Sequence, residues 1–219
     1  PLTSIRAYVE GLLDGVPQTE RDRQRYLCII RSKAEDIDRL VSQLFLYAKL
    51  DLEGVPTQNV SLRLDRFVTD FLREDQTDHR EQGLEVSADR LAPVTVCADP
   101  EQLRRVLTNI LDNSAKYKAH DHGHVCITLC PDGCLTLTDD GPGVPEAALP
   151  RLFDAFYRSD PARKDPAGGS GLGLAIAAKA VQNMGGTIRA YAPLQGGLAI
   201  EITLPREADQ DAEDLDRRG

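Results

Sequence analysis

The stretch GGSGLGLAIA, residues 168–177, sets four glycines directly ahead of an apolar, alanine-rich run that reads as a helix. Glycine lets a ligand approach the main chain closely, and a helix N-terminus offers unpaired N–H groups with partial positive charge. The pattern points to a phosphate site. Neither familiar glycine motif fits it. A Walker A loop requires Lys and Ser/Thr after its last glycine, whereas Gly173 is followed by Leu174 and Ala175. The dinucleotide fingerprint requires G-x-G-x-x-G after a strand, and here the order is G-x-G-x-G after a loop rich in Pro, Arg and Lys.

Three other stretches carry matching chemistry. In LTNILDNSAKYK, Asn109 and Asn113 stand four residues apart on one helix face, with Lys116 and Tyr117 a turn further on. Two amide oxygens with water suit Mg²⁺, which shares its ligands with phosphates, and Lys116 can meet phosphate charge. In TDDGPGVP, Asp139 closes an acidic strand end beside Gly141 and Gly143. A planar base can approach the backbone there, and the carboxylate can accept from an exocyclic amine. RLFDAFYRSDPAR supplies Phe153 and Phe156 to fasten a lid, and cations at Arg158 and Arg163.

Other clusters read differently. Cys126, Cys130 and Cys134 recur at four-residue spacing about a PDG turn, yet no nearby pair completes a zinc signature. Cys126 and Cys130 read as small buried hydrophobes alternating along a strand. His120, His122 and His124 could share one face of a strand as metal ligands, but Gly123 and their polar neighbours favour a solvated turn. His79, in a highly charged stretch, is expected to be exposed. A net charge of −9 over 219 residues argues against a general nucleic-acid surface. No apolar run reaches the roughly 18 residues of a membrane span, and cysteine usage suits a reducing, cytoplasmic setting.

Stepping by three and four residues, Leu2, Ile5, Val9, Leu12 and Val16 form a heptad seam. Leu27, Ile30, Ala34, Ile37, Val41, Leu44 and Ala48 form a second, with Gly15 and Pro17 as the break. Residues 1–50 are therefore expected to form a helical hairpin, completed by a second copy as a four-helix bundle. Residues 51–58 read as a linker. From 59 the texture is mixed: strands at NVSLRL, LEVSA, VTVCA, HVCITLC, CLTLTD, GTIRAYAP and LAIEITLP, and helices over DRFVTDFLREDQTDHREQ, DPEQLRRVLTNILDNSAKY and SGLGLAIAAKAVQNM. Asp99 and Pro100 open the second of these helices as N-cap and N1. Segregated strands and helices predict an α+β sandwich over 59–205, followed by an acidic, disordered tail over 206–219.

LTNILDNSAKY, DDGPGVP, LFDAFYR and GGSGLGLAI together resemble the N, G1, F and G2 boxes of the sensor histidine kinases of two-component systems. The hairpin resembles their dimerisation and histidine-phosphotransfer domain. The resemblance implies an ATP-binding sandwich of the GHKL or Bergerat type, with ATP and Mg²⁺ as ligands, and a homodimer. It also implies a response-regulator receiver domain as partner, and a cytoplasmic core from a membrane-bound sensor. Asn109 and Asn113 would hold the metal. Lys116, Tyr117 and Arg158 would contact phosphates or ribose, with Asn109, Lys116 and Arg158 serving the transfer. Asp139 would hold the adenine amine, with Gly141 and Gly143 at the base. Gly169, Ser170, Gly171, Leu172 and Gly173 would close over the triphosphate. One departure stands out. PLTSIRAYVEGLL resembles the end of the H box, usually H-E-x-x-T-P-L-T-x-I, and the phosphoaccepting histidine with its acidic neighbour is expected before Pro1. A nucleotide-sensing pseudokinase, or another ATPase of the same fold, is the alternative reading.

Overall fold

A computed structural model describes residues 1–51, 57–158 and 170–206. Residues 52–56 of the expected linker, Gly168, Gly169 and Arg163 of the glycine-rich lid, and residues 207–219 of the expected tail lie outside the described residues. The chain divides into two compact units, Pro1–Ala48 and Lys49–Gly219.

The first unit is a helical hairpin. Helix α1 spans Leu2–Leu13, and α2, which begins in this unit, spans Glu20–Asp51. Gly15, at φ +68°, takes a left-handed turn that other residues rarely adopt, and residues 16–18 belong to no helix or strand. Thr19 restarts it: its hydroxyl accepts from Asp22 N at 3.1 Å, an N-terminal cap. Tyr8 and Tyr26 meet edge to face at 4.9 Å between ring centroids, joining the two helices. The seams divide by heptad position except at Leu44, which is exposed although it shares its position with Ile30 and Ile37. Ile5, Leu12, Ile30 and Ile37 are half-buried within the hairpin, while Leu2, Val9, Val16, Leu27, Ala34, Val41 and Leu44 are exposed.

The second unit contains β1 (Val60–Arg63), α3 (Leu64–Glu81), β2 (Leu84–Leu91), β3 (Thr95–Ala98), α4 (Pro100–Tyr117), β4 (Gly123–Leu129), β5 (Cys134–Asp139), a 3₁₀ helix (Glu146–Arg151), α5 (Gly173–Asn183), β6 (Thr187–Tyr191) and β7 (Ala199–Thr203). The main sheet runs β2-β4-β5-β7-β6, with β2 and β4 parallel and the other pairs antiparallel. Alternation decides its faces. Val125, Ile127, Leu129, Leu135, Leu137, Ile200 and Ile202 are buried beneath the helices. Their neighbours Cys126, Thr128, Thr136, Thr138 and Glu201 are half-exposed on the other face.

Strands β1 and β3 pair with each other as a separate two-stranded sheet. The sequence reading is corrected at three points. Strand β2 runs past Ala88 to Leu91, because a bulge at Arg90 (φ +52°) absorbs a register shift and lets pairing resume. His79 is buried, not exposed, at 5% relative accessibility. It follows Leu64, Val68, Phe71 and Leu72 on the inner stripe of α3, and its Nδ1 lies 2.9 Å from Asp75 O. Cys126 and Cys130 stand on the open face of the sheet, half-exposed and exposed, so they do not act as core hydrophobes.

Candidate functional site

Helix α4 is fixed at its start before it contributes any chemistry. Asp99 Oδ1 accepts from Glu101 N at 3.0 Å and Gln102 N at 3.2 Å, while Oδ2 accepts from Gln58 N at 3.0 Å. Burial pushes this carboxyl's pKa up. The hydrogen bonds from Gln102, Gln58 and Glu101 outweigh burial and hold it below the ordinary value. Pro100 occupies N1, where no N–H is required. Leu103, Val106, Leu107, Ile110 and Leu111 bury the inner stripe of α4. Asn109 and Asn113 therefore lie at its margin, both half-buried.

Asn109 Nδ2 is buried with no hydrogen-bond partner among the described residues. An orphaned buried amide costs about 1–3 kcal/mol unless a ligand satisfies it. Gly173 is its neighbour: a Cβ there would stand 3.7 Å from Asn109 Oδ1, an ordinary contact. Neither φ nor packing among the described residues therefore demands glycine at 173. Gly171 is different. It has φ +72°, and a side chain would come within 2.9 Å of the Phe156 backbone. Phe156 N donates to Gly171 O at 3.0 Å, and Phe156 itself sits at φ +65° with its ring exposed. This clasp ties the end of the FDAFYR stretch to the start of α5. Ser170 Oγ accepts from Leu172 N at 3.0 Å in the same turn.

Asp139 ends β5 and is the most heavily engaged acid of the site. Its Oδ1 accepts from Gly141 N and Leu198 N, each at 3.0 Å, and Oδ2 accepts from Ser114 Oγ at 3.2 Å. A carboxylate offers about four acceptor positions, so one on Oδ2 remains for a further donor. Gly141 lies close under it, where a Cβ would come 3.0 Å from Asp139 Oδ1 and 3.3 Å from Tyr117 O. Gly143, at φ +69°, would place a Cβ 2.8 Å from Gly197 O. Gly197, at φ +83°, lies against Asp139 so closely that any Cβ would strike the aspartate's carbonyl oxygen.

The end of α4, the end of β5, the Gly141–Gly143 turn and the start of α5 thus converge. Lys116 Nζ rests 4.8 Å from the centre of the Tyr117 ring, in a cation–π contact. Arg158 is exposed and is the last described residue before position 159. Gly169 lies outside the described residues. Sequence reasoning missed two members, Ser114 and Gly197. Ser114 directly follows Asn113, and the pair Gly196–Gly197 before a strand was the available signal. Among the described residues no group of three or more His, Cys, Asp or Glu could hold a metal ion. The donor set here is of amides, which suits a hydrated cation that shares its ligands with phosphate.

Two family models match the chain. Residues 98–208 match the histidine kinase-, DNA gyrase B- and HSP90-like ATPases, and residues 1–53 match the His Kinase A (phospho-acceptor) domain. The chain is 32% identical to the sensor histidine kinase WalK of Bacillus subtilis strain 168, over 96% of this chain and 35% of that protein. It is 30% identical to a sensor protein kinase WalK of Staphylococcus aureus, over 97% of this chain and 52% of that protein. The chain thus spans about a third to a half of the curated relatives it matches. Among solved structures, the mycobacterial sensor histidine kinase MprB aligns with a TM-score of 0.55 at 31% identity, over 68% of this chain and 98% of that one. The Acinetobacter baumannii histidine kinase AdeS aligns with a TM-score of 0.71 at 18% identity, over 94% and 95%, a likeness of fold.

Proposed function

The chain belongs to the sensor histidine kinases of two-component systems, and we propose that it binds Mg·ATP for transfer of the γ-phosphoryl to a histidine. The hairpin, residues 1–50, serves dimerisation and phosphotransfer; residues 59–205 form the catalytic unit. A receiver domain of a response regulator takes the phosphoryl next, and the parent protein is a membrane-bound sensor with this portion in the cytoplasm. No helix among the described residues is long and apolar enough to cross a membrane.

The observation that carries this reading is the free acceptor position on Asp139, set among glycines that admit a flat ring. Asp139 accepts the adenine amine, and Gly141 and Gly143 allow the base to lie against the backbone. Asn109 and Asn113 hold Mg²⁺, which would neutralise phosphate charge when bound. Lys116, Tyr117 and Arg158 contact phosphates or ribose. Ser170, Gly171, Leu172 and Gly173, with Gly169 before them, close over the triphosphate at the start of α5, where no side chain caps the helix. Asn109, Lys116 and Arg158 stabilise charge on the transferring group, so catalysis is by positioning and electrostatics. The acceptor is a separate matter. The four histidines of this chain are 79, 120, 122 and 124, and none lies on the hairpin.

Calorimetric titration with ATP and GTP, each with Mg²⁺ and with chelator, tests the site. ATP binds, GTP does not compete, and chelator weakens ATP binding less in Asn113→Ala than in wild type. Equal affinities for the two nucleotides would remove Asp139 from the adenine position. Incubation with γ-labelled ATP leaves no acid-labile label on this chain alone. Such a label would make one of the four histidines the acceptor.

A further inference from the structure

The β4–β5 hairpin ends in Cys130-Pro131-Asp132-Gly133-Cys134. Its register pairs Thr128 with Thr136 and Leu129 with Leu135, so the next rung sets Cys130 opposite Cys134. Cys130 N donates to Cys134 O at 2.9 Å, which fixes that rung. The turn is closed by Gly133 N to Cys130 O at 3.0 Å and by Cys134 N to Asp132 Oδ1 at 3.1 Å, with Gly133 at φ +89°. Both cysteines are free; Cys130 is exposed and Cys134 half-buried. The two side chains leave the same face of the sheet, since directly opposed residues share a face.

We infer that Cys130 and Cys134 form a dithiol site at the hairpin tip, which a low-molecular-weight disulfide such as oxidised glutathione converts to an intrachain disulfide. The distances permit it. Opposed residues of a hydrogen-bonded antiparallel rung have Cα atoms about 5.5 Å apart, inside the roughly 4.4–6.8 Å span of disulfides. Their Cβ atoms, at about 4.5–5.5 Å, must draw in by up to about an ångström, and the tip is the part of the hairpin freest to give. A bridge formed under that adjustment is readily reduced, a reversible modification.

The two thiols are not equivalent, and this sets the order of events. Cys134 Sγ lies 3.8 Å from Thr136 Oγ1. Burial pushes its thiol pKa up, against that hydrogen bond, and Glu201 and Asp132 add to the rise. Cys130 is the accessible thiol and attacks first. Its sulfur bonds to one sulfur of glutathione disulfide, the reagent's S–S bond breaks, and one glutathione thiolate leaves with the electron pair. Cys134 then rotates from Thr136 toward Cys130, and its thiolate attacks the Cys130 sulfur and expels the second glutathione. Two protein thiols are oxidised, one reagent disulfide is reduced to two thiols, and both protons end on the released glutathione. The other cysteines have no opposed partner: Cys126 faces Thr138, Cys97 faces Ser61, and Cys28 lies on α2.

The test uses the whole chain. After incubation with oxidised glutathione, free thiols are alkylated without reduction, and peptides are mapped by mass. Wild type loses the thiols of Cys130 and Cys134, yields a Cys130–Cys134 linked peptide and keeps no glutathione on either residue, and dithiothreitol restores both thiols. In Cys134→Ser, glutathione remains on Cys130. In Cys130→Ser, Cys134 is consumed at least tenfold more slowly than Cys130 in wild type. Wild-type protein carrying glutathione on Cys130 while Cys134 stays open to alkylation would overturn the inference, as would thiol loss shared evenly with Cys28 and Cys97. The wild-type map decides the matter even if a serine variant is poorly folded.

Discussion

The two units of the chain solve the burial problem in opposite ways. Between Leu64 and Leu204 the described residues of the second unit bury an extensive apolar core, with Phe71, Leu107, Ile110, Ile127 and Leu137 at 2% accessibility or less. In the hairpin, residues 1–48, no residue is buried at all. Both carry regular apolar periods, so hydrophobic content does not separate them. What separates them is how many faces each period is given. A sheet covered by three helices closes its own core. A two-helix hairpin covers half of each heptad and leaves the other half, Leu2, Val9, Val16, Leu27 and Val41, turned to solvent. Partner-dependence can be read from which half of a seam is left open.

The sharpest way to break this contrast is Val41→Asp. Val41 is 44% exposed in a single chain, so in a monomer the substitution is nearly silent. In a four-helix dimer it buries an unpaired carboxylate, at several kcal/mol. Light scattering is expected to show a dimer for wild type and a monomer for the variant, with the melting of the second unit unchanged. A dimeric variant would place the interface elsewhere.

Within the self-sufficient unit the expected effects are smaller and local. Asp139→Asn removes charge from a carboxylate that already accepts three hydrogen bonds. ATP affinity should fall by roughly 10- to 150-fold, about 1.5–3 kcal/mol, and circular dichroism should show an unchanged fold. Gly197→Ala forces a left-handed residue to carry a Cβ against the Asp139 carbonyl. It should cost about 1–3 kcal/mol in denaturant unfolding and weaken nucleotide binding through the displaced aspartate. Normal stability and normal affinity together would show that the backbone yields there.

The smallest expected effect depends on pH. Asp99 has its pKa depressed in the folded state by the N–H groups it caps. Its stabilisation is therefore fully present above the unfolded value of 3.8 and is lost as pH falls through the lower folded value. Asp99→Ala should cost about 0.5–2 kcal/mol at neutral pH. The gap from wild type should narrow only below about pH 4. A gap that closes already near pH 6 would assign the effect to another group.

Much of this was legible from residue order, because periodicity, caps and glycine runs are local signals. The Asp99–Pro100 cap opens α4 as expected, and every expected strand is present. What failed was information about partners. NVSLRL alternates as a strand should, but alternation does not say whether it joins five strands or one. HVCITLC alternates too, and choosing the wrong face put Cys126 in the core instead of on the open side. His79 was misjudged from its charged neighbours, although its spacing from Phe71 and Leu72 continues the buried stripe. The 3₁₀ helix in PEAALPR has too few residues to show a period. Of the candidate site, Asn109, Asp139 and Gly141 could be found from residue type and spacing. Gly197 could not, since its constraint comes from Asp139, 58 positions earlier, and exists only once β5 and β7 are paired.

The clasp between Phe156 N and Gly171 O has a consequence for how such chains can diversify. It holds positions 156 and 171 together across the length of chain between them. The entropy of closing a loop grows only with the logarithm of its length, about 0.6 kcal/mol for each doubling. By that scaling a change in chain length between the two clasped positions adds little closure cost, while the clasp keeps the Phe156 turn against the start of α5.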